Sequence, residues 1–252
     1  NTDKELEYQR YNERAFSQLS NKNGDFTVIS GSASLQPSIQ APYRYFESKI
    51  RELSPGSDGR ILEIGAGTGA FTKILLSTGA NVLATDISEH SLDVIQKNLK
   101  SPKNLQIEVA DMESLTFDNE SFDVVTSAGS LSYGDNSVVM NEIYRVLKKG
   151  GFFICVDSLN HNPIYRLNRW LHFLKKNRTL STLKRMPTMS LIDAYQNKFG
   201  ESNAYYFGSI IWLTPLLEKV TNQFKAAEIV NKFDKLINTK NSAFKFVMVA
   251  KK

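Results

Sequence analysis

The stretch Arg60-Ile-Leu-Glu63-Ile-Gly65-Ala-Gly67-Thr-Gly69-Ala70 decides the fold of this chain. Its apolar residues before the first glycine are typical of a strand buried on both faces of a sheet. Three glycines follow at alternate positions, and apolar residues at helical spacing continue from Phe71 to Leu76. The pattern predicts a strand, a tight turn and a helix. Glycines let the backbone approach a ligand closely, and a helix N-terminus offers unpaired N–H groups, so we expect a nucleotide-like cofactor here.

The glycine pattern alone leaves the cofactor open. The run Gly65-Ala66-Gly67-Thr-Gly69-Ala70 also fits the dinucleotide fingerprint G-x-G-x-x-G/A. Glu63, two residues before the first glycine, extends the string to E-x-G-x-G-x-G. A second predicted strand, Asn81 to Asp86, ends in an acid placed to hold ribose hydroxyls. Any cofactor that contains a ribose requires such an acceptor, so this acid does not decide between cofactors.

Strands and helices continue to alternate after Asp86. Helices are indicated by two amphipathic runs, one carrying Leu92, Ile95 and Leu99 and the other ending in a cap at Gly150. The further strands are predicted over residues 105–110, 122–126 and 152–157. Strands separated by helices predict a parallel sheet covered on both faces, with ligands at the carboxyl ends of the strands.

With Val109-Ala-Asp111-Met112, Ser121 to Ser127 and Leu147 to Asp157 added to the glycine motif, the chain resembles the class I S-adenosylmethionine-dependent methyltransferases. The resemblance covers residues 60–157. It implies an α/β fold with a Rossmann-like, doubly wound, seven-stranded sheet, mostly parallel and closed by a C-terminal antiparallel hairpin. It also implies S-adenosyl-L-methionine as cofactor and S-adenosyl-L-homocysteine as product.

The resemblance further implies how the cofactor is held. The backbone of the glycine turn would pack against its methionine part and ribose, and Asp86 would accept hydrogen bonds from both ribose hydroxyls, because a carboxylate is acceptor-only. Asp111 would bind the adenine amino group, Ile87 and Met112 would lie beside the adenine, and the Ser127 carbonyl would face the cofactor's amino group. The complete predicted set is Glu63, Gly65, Ala66, Gly67, Gly69, Asp86, Ile87, Asp111, Met112 and Ser127.

Length and composition favour one domain with a large insertion. The predicted parts of the 252-residue chain are an N-terminal helical cover (1–59), a cofactor-binding core (60–157), a substrate-side insertion (158–213), and a closing helix and hairpin (214–252). The N-terminal part contains an apolar stripe within residues 1–22, an irregular connector over 23–42 and an amphipathic helix from Tyr43 to Leu53. The closing part contains a helix over 214–220 and strands around 227–233 and 243–250.

Several features bear on location and chemistry. The single Cys155 excludes an internal disulfide and is consistent with the cytoplasm, and the three histidines are scattered, so no metal site is expected. No stretch approaches the roughly 20 apolar residues of a membrane span. The net charge of +5 is modest.

Catalytic and acceptor-side candidates must lie above the strand ends. His161, four residues beyond Asp157, is the predicted base for a hydroxyl acceptor, since imidazole exchanges protons readily near neutral pH. Tyr133, in the loop after the fourth strand, could line the same pocket. Tyr43 and Arg44, on the helix before the glycine turn, are the predicted ligand contacts from the N-terminal part.

The insertion is basic and amphipathic. No Asp or Glu occurs between Asp157 and Asp193, where seven Lys and Arg residues accumulate around an apolar stripe. Such a segment can lie on an anionic membrane over 163–185, cover a pocket and hold substrate phosphates, or simply pack with a solvated basic face. Its predicted substrate-binding residues are Tyr165, Arg166 and Arg169.

The run from His161 to Arg169 is also similar, much less specifically, to methyltransferases found with bacterial surface-polysaccharide synthesis. That similarity implies O-methylation of a saccharide on a phosphorylated or lipid-linked carrier, and this is our leading hypothesis. A quinone-like or other lipid acceptor is the rival enzyme hypothesis. An RNA methyltransferase or nucleic-acid binder is less favoured, because the basic residues are confined to one insertion without a recognised RNA-binding module. Intact glycines and both acids argue against a degenerate fold without catalysis.

Overall fold

The computed structural model describes residues 31–174, 179–237 and 240–252, together with Glu5 and Gln9. The apolar stripe predicted within residues 1–22 therefore lies outside the described residues. The connector predicted over 23–42 falls partly within them and forms two 3-10 turns, Gly31–Ser34 and Pro37–Ile39.

The strands form a seven-stranded sheet in the order β3-β2-β1-β4-β5-β7-β6. Their bounds are β1 (Arg60–Ile64), β2 (Asn81–Asp86), β3 (Leu105–Val109), β4 (Phe122–Ala128), β5 (Leu147–Ser158), β6 (Glu201–Phe207) and β7 (Lys245–Lys251). The first five strands pair in parallel, while β7 runs antiparallel to both β5 and β6. The predicted fold class, a Rossmann-like and mostly parallel sheet with antiparallel C-terminal strands, is confirmed.

Helices of the described residues connect and cover these strands. They are α1 (Gln40–Leu53), α2 (Thr72–Leu76), α3 (Glu89–Leu99), α4 (Asn136–Val146), α5 (Pro163–Leu174), α6 (Leu180–Lys184), α7 (Met189–Phe199), α8 (Thr214–Leu217) and α9 (Gln223–Ile237). Side-chain N-caps start several of them, among them α3 and α4: Ser88 accepts from the Ser91 N–H, and Asp135 accepts from the N–H groups of Ser137 and Val138. The first cap starts α3 directly after the carboxyl end of β2, and the second starts α4 after the loop that follows β4.

Alternating side chains of the central strands build a core on each face of the sheet. Ile61 and Val124 pack with Phe46 and Leu75, from α1 and α2, on one face. Leu62, Val125, Phe153 and Cys155 pack on the other face with residues of α4 and α7. Because successive strand residues point to opposite faces, both layers of helices are held by the same strands.

The C-terminal prediction was wrong in its positions. The strand predicted around 227–233 is part of α9, whose buried residues Ala226, Ala227, Val230 and Asp234 recur at helical spacing. The outer partner of β7, at the edge of the sheet, is β6, which lies inside the region predicted as a helical insertion. The strand predicted around 243–250 is confirmed as β7.

Two helix predictions need shorter corrections. The helix after the glycine turn is confirmed as Thr72–Leu76, within one residue of the predicted run, but the one predicted over 214–220 covers only Thr214–Leu217. α4 ends at Val146, because Leu147 already turns into β5 with extended backbone. Gly150, with φ of 79°, therefore lies within β5 and does not cap the helix.

Candidate active site

The glycine turn joins the carboxyl end of β1 to α2. Gly65 and Gly67 both have positive φ, 65° and 55°, which side chains with a Cβ rarely adopt. A Cβ on Gly65 would clash with the Cβ of Ser130, whereas a Cβ on Gly67 would meet no atom within 4 Å. The first glycine is thus required for packing against the β4 loop. The second faces open space where a ligand can approach the backbone.

Asp86 connects the end of β2 to this turn. Its Oδ2 accepts the Gly67 N–H at 2.8 Å, and its Oδ1 accepts the Ser88 N–H at 2.9 Å. Burial raises the pKa of Asp86, and the two backbone hydrogen bonds oppose that rise. The carboxylate therefore lies beside the glycine turn, at the edge where the sequence predicted it.

Glu63 is buried in β1 and accepts a hydrogen bond from the Thr72 hydroxyl at 2.6 Å. Burial raises its pKa to about 8, with a smaller contribution from the negative charge of Asp86 and opposition from Thr72. Its side chain thus ties β1 to the start of α2 beneath the turn. The sequence motif includes Glu63, but nothing in the motif indicates this burial or its altered protonation.

The adenine-side candidates follow β2 and β3. Asp111 Oδ1 accepts the Glu113 N–H at 3.0 Å, in a small turn that also bridges to Ser114. Met112 is half-buried against the core, and Ile87 is 36% exposed directly after Asp86. Their cofactor contacts stay predictions.

Ser127 lies at the end of β4, opposite Ile64 of β1 in the parallel register. Its Oγ is 2.6 Å from the Oγ of Ser130, which donates to the Ile64 carbonyl at 3.2 Å. These bonds hold the β4 loop against the glycine turn. Ser130 was not among the predicted site residues, because a lone serine after a strand carries no distinctive pattern.

The N-terminal candidates differ in their surroundings. The Tyr43 ring stacks on Phe71, directly after the glycine turn, with 5.4 Å between ring centroids. Arg44 is exposed and donates to Gln40 Oε1 at 2.6 Å. The 3-10 turn Gly31–Ser34 also contacts the glycine turn, since the Gly31 N–H donates to the Ala70 carbonyl.

The catalytic candidates lie on two loops. His161 is exposed between β5 and α5, and Tyr133 is half-buried in the 3-10 turn Leu131–Tyr133 after β4. Asp157, at the end of β5, holds that turn in place, because its Oδ2 accepts the Leu131 N–H at 3.0 Å. The loops of β4 and β5 are thereby joined at the carboxyl edge of the sheet, and the roles of His161 and Tyr133 stay predictions.

Two of the three candidates from the insertion bond to the fold itself. Tyr165 is 5% exposed, donates to the Gly208 carbonyl at 2.6 Å, and has its pKa raised to about 12, chiefly by burial. Arg169 is equally buried and donates to the Leu159 carbonyl at 2.8 Å. Arg166, by contrast, is exposed.

A buried aspartate and a buried lysine on neighbouring strands, Asp157 and Lys245, were missed by the sequence reasoning. Asp157 has its pKa raised by burial, an effect that the positive charge of Lys245 opposes. The Lys245 ammonium donates to Ser158 Oγ at 3.1 Å and lies 5.0 Å above the Tyr43 ring. A lysine at the start of an apolar strand was the available signal. Among the described residues, no cluster of His, Cys, Asp and Glu could hold a metal.

The strand order, the glycine turn with its open approach and the adjacent carboxylate are those of the class I S-adenosylmethionine-dependent methyltransferase fold. S-adenosylmethionine is the cofactor of this class, and the residues present fit it: open space adjoins Gly67, with an acceptor carboxylate beside it.

Comparison with known proteins agrees with this class. Residues 62–155 match the family described as "Methyltransferase domain". The demethylmenaquinone methyltransferase of Clavibacter sepedonicus is 38% identical over 122 residues, which are 46% of this chain and 48% of that protein. The chain thus spans about half the length of this relative, as it does of a second demethylmenaquinone methyltransferase, from Lactococcus lactis.

Solved structures share the fold at low sequence identity. Phosphoethanolamine N-methyltransferase 2 of Haemonchus contortus, in complex with S-adenosylmethionine, matches with a TM-score of 0.58 at 16% identity, over 85% of this chain and 54% of that one. Geranyl diphosphate C-methyltransferase of Streptomyces coelicolor matches with a TM-score of 0.55 at 17% identity, over 83% of this chain and 80% of that one.

Proposed function

We propose that this protein transfers the methyl group of S-adenosylmethionine to a small, largely apolar acceptor of the quinone type. The observation that carries the methyl-transfer part is the open glycine turn with the Asp86 carboxylate bonded to it. The matches to demethylmenaquinone methyltransferases support the quinone part.

In this proposal the chain's own residues bind and orient the reactants. Asp86 accepts the ribose hydroxyls, Asp111 accepts from the adenine amino group, and the Ser127 carbonyl faces the cofactor's amino group. When bound, S-adenosylmethionine supplies an electrophilic methyl group, so the protein has chiefly to position the acceptor and exclude water. His161 takes the proton of an acceptor hydroxyl, which a quinone carries only in its reduced, quinol form. The resulting phenolate makes the neighbouring ring carbon nucleophilic; that carbon bonds the methyl group as the methyl–sulfur bond breaks, and it then loses its own proton. Tyr133 lines the same pocket.

The state of the insertion favours an apolar acceptor over a phosphorylated saccharide. A phosphate clamp needs arginines whose guanidinium groups are presented to the ligand. Arg169 is instead buried and donates to the Leu159 carbonyl, and the Tyr165 hydroxyl is committed to Gly208. This leaves Arg166 as the exposed member of the three residues predicted to bind substrate.

A labelled-methyl assay tests the proposal. The protein would be incubated with methyl-labelled S-adenosylmethionine and, separately, a demethylated naphthoquinone reduced to its quinol, nucleotide sugars, lipid-linked glycans and total RNA. We expect label in the quinone. Label in a glycan or in RNA, with none in the quinone, would refute the acceptor, and no transfer to any of them would count against the activity.

Asp86→Asn tests the cofactor site separately from the acceptor. The substitution should weaken S-adenosylhomocysteine binding more than tenfold, a loss above ~1.4 kcal/mol, measured by calorimetry. Asp93→Asn is the matched control, because Asp93 is an exposed aspartate on α3, the helix that follows Asp86. Equal affinities for the two variants would refute the role of Asp86.

A further inference from the structure

Helix α5 exposes its apolar side, whereas an ordinary surface helix buries that side against the core. Its apolar residues Ile164, Leu167, Leu171 and Leu174 fall at i, i+3, i+7 and i+10 and share one side, yet each is exposed, Leu167 to 59%. The stripe is widened by Trp170, which is 49% exposed. We call these five residues the α5 stripe.

The buried side of α5 carries polar groups instead. Tyr165 and Arg169, four residues apart, are bonded through their hydroxyl and guanidinium to the Gly208 and Leu159 carbonyls. Tyr165 also packs against the Phe244 ring at 4.7 Å, and the Arg169 guanidinium lies 5.4 Å from the same ring. Rotating the helix to bury the stripe would break these bonds and leave the Gly208 and Leu159 carbonyls without these donors, so the outward orientation is specified by the fold.

Exposed apolar residues continue beyond the helix. Leu180, at the start of α6, is 45% exposed, and Trp212 is 44% exposed. The backbone of Trp212 adjoins the Tyr165 hydroxyl, which places it next to the N-terminal turn of α5. Several exposed, large apolar side chains grouped around one helix are typical of an interaction site.

The positive charge around the α5 stripe favours a negatively charged partner. Residues 158–192 contain seven Lys and Arg residues and no Asp or Glu. Arg166 and Lys184 are exposed, and the sequence places Lys175, Lys176 and Arg178 directly after α5. An apolar stripe with tryptophan and flanking basic residues is the composition of a helix that lies in the interface of an anionic bilayer. A two-fold contact with a second copy would instead bring the basic residues of both copies together.

We propose that the α5 stripe, with Leu180 and Trp212, docks this protein on membranes rich in anionic lipid. The stripe enters the boundary between headgroups and acyl chains while the basic residues bind lipid phosphates. None of the described helices is long and apolar enough to cross a membrane. The docking goes beyond the proposed activity and does not depend on which acceptor is methylated.

Vesicle co-sedimentation of the full chain tests the proposal without cofactor or acceptor. Vesicles of phosphatidylglycerol and phosphatidylcholine are compared with vesicles of phosphatidylcholine alone. We expect binding to the anionic vesicles, weakened by high salt, and weak binding to the neutral ones. Leu167→Ser/Leu171→Ser should reduce the partition coefficient roughly tenfold or more, and Arg166→Glu should reduce it less.

The controls are exposed residues at the opposite edge of the sheet. Val109→Ser removes an apolar residue that is 52% exposed on β3, and Lys103→Glu reverses an exposed charge just before that strand. Both should bind like the unchanged protein. Absence of binding to anionic vesicles, or equal binding by the Leu167→Ser/Leu171→Ser variant, would overturn the proposal. Self-association that this double variant abolishes would overturn it too, by assigning the stripe to a second copy.

Discussion

A buried acid is the unusual residue of the candidate site. Glu63 belongs to the glycine motif, yet its carboxyl is enclosed between β1 and α2 and bonded to Thr72. Burial raises its pKa to about 8, so the group is mostly protonated at neutral pH. The motif therefore combines a glycine backbone that borders open space at Gly67 with a buried acid that ties β1 to the start of α2.

Glu63→Gln should flatten the pH dependence of stability. Between its ordinary value of 4.5 and the raised pKa of about 8, the unfolded chain has lost this proton and the folded chain keeps it. The free energy of unfolding therefore falls as pH rises through this window, by at most about 1.4 kcal/mol per pH unit.

Thermal unfolding at several pH values within the window measures this effect. Glutamine keeps the size and an acceptor for Thr72 but cannot ionise, so the variant should lose less stability than the unchanged protein as pH rises. Asp86 and Asp157 also have raised pKa values and remain in both proteins. Identical slopes for both proteins would show that Glu63 does not titrate in this range.

His161→Ala addresses the proposed base. If His161 takes the acceptor's proton, its removal should lower turnover on the order of a hundredfold while S-adenosylhomocysteine affinity stays unchanged. His90→Ala is the control, because His90 is a similarly exposed histidine on α3. Normal turnover in His161→Ala would remove this residue from the mechanism without affecting the cofactor site.

Elements with sharp sequence boundaries were the ones that could be predicted. β1 and β2 are apolar runs that end at a glycine and at an aspartate, and both were predicted to within a residue. β6, by contrast, mixes polar and aromatic residues, and its half-buried side chains follow no strict alternation. The segment 227–233 contains β-branched residues, and it is too short for its periodicity to distinguish a helix from a strand. It was therefore predicted as a strand, while β6 was missed.

The site residues that could be predicted from the sequence are likewise those that belong to a clear local pattern. The sequence placed Asp86 beside the glycine turn because such a turn requires those residue types in a short, continuous order, and their contacts with the cofactor stay predictions. Asp157 and Lys245 lie far apart in the sequence and meet only through the register of β5 and β7. Such contacts depend on the antiparallel pairing, which no local pattern specifies.

Helix α7 offers a prediction about packing. The Tyr195 ring stacks with Phe153 of β5 and Phe199 of α7, at 5.4 and 5.9 Å between centroids. Its buried hydroxyl has no hydrogen-bond partner among the described residues. Tyr195→Phe should therefore be neutral or stabilise by about 1 kcal/mol, because an unsatisfied buried hydroxyl is removed and the ring stays.

Urea unfolding would measure this change against Tyr195→Ala. The alanine variant should lose about 3–5 kcal/mol, since it leaves a cavity between α7 and the sheet. A loss above about 1 kcal/mol in Tyr195→Phe would indicate a partner for the hydroxyl, such as an ordered water, and would contradict the prediction.

At the scale of the molecule, the insertion is fixed to the core by polar contacts at the carboxyl edge of the sheet. Asn162 donates to the Ser242 carbonyl at 2.9 Å, and Tyr165 donates to Gly208, just after β6. This attachment fixes the orientation of α5 relative to the cofactor turn. An acceptor drawn from a membrane would therefore meet a preformed surface whose apolar side faces outward.

Comparison of Arg169→Met with Arg166→Met tests whether Arg169 serves the fold or the acceptor. Methionine keeps an apolar stem in both variants and removes the guanidinium. Arg169→Met should lower the free energy of unfolding by about 2 kcal/mol, because the Leu159 carbonyl loses its donor and Asp157 loses part of the positive charge around it. Arg166→Met should change it by less than about 0.5 kcal/mol, since Arg166 is exposed. Equal stabilities, with turnover lost in Arg169→Met alone, would instead assign Arg169 to the acceptor.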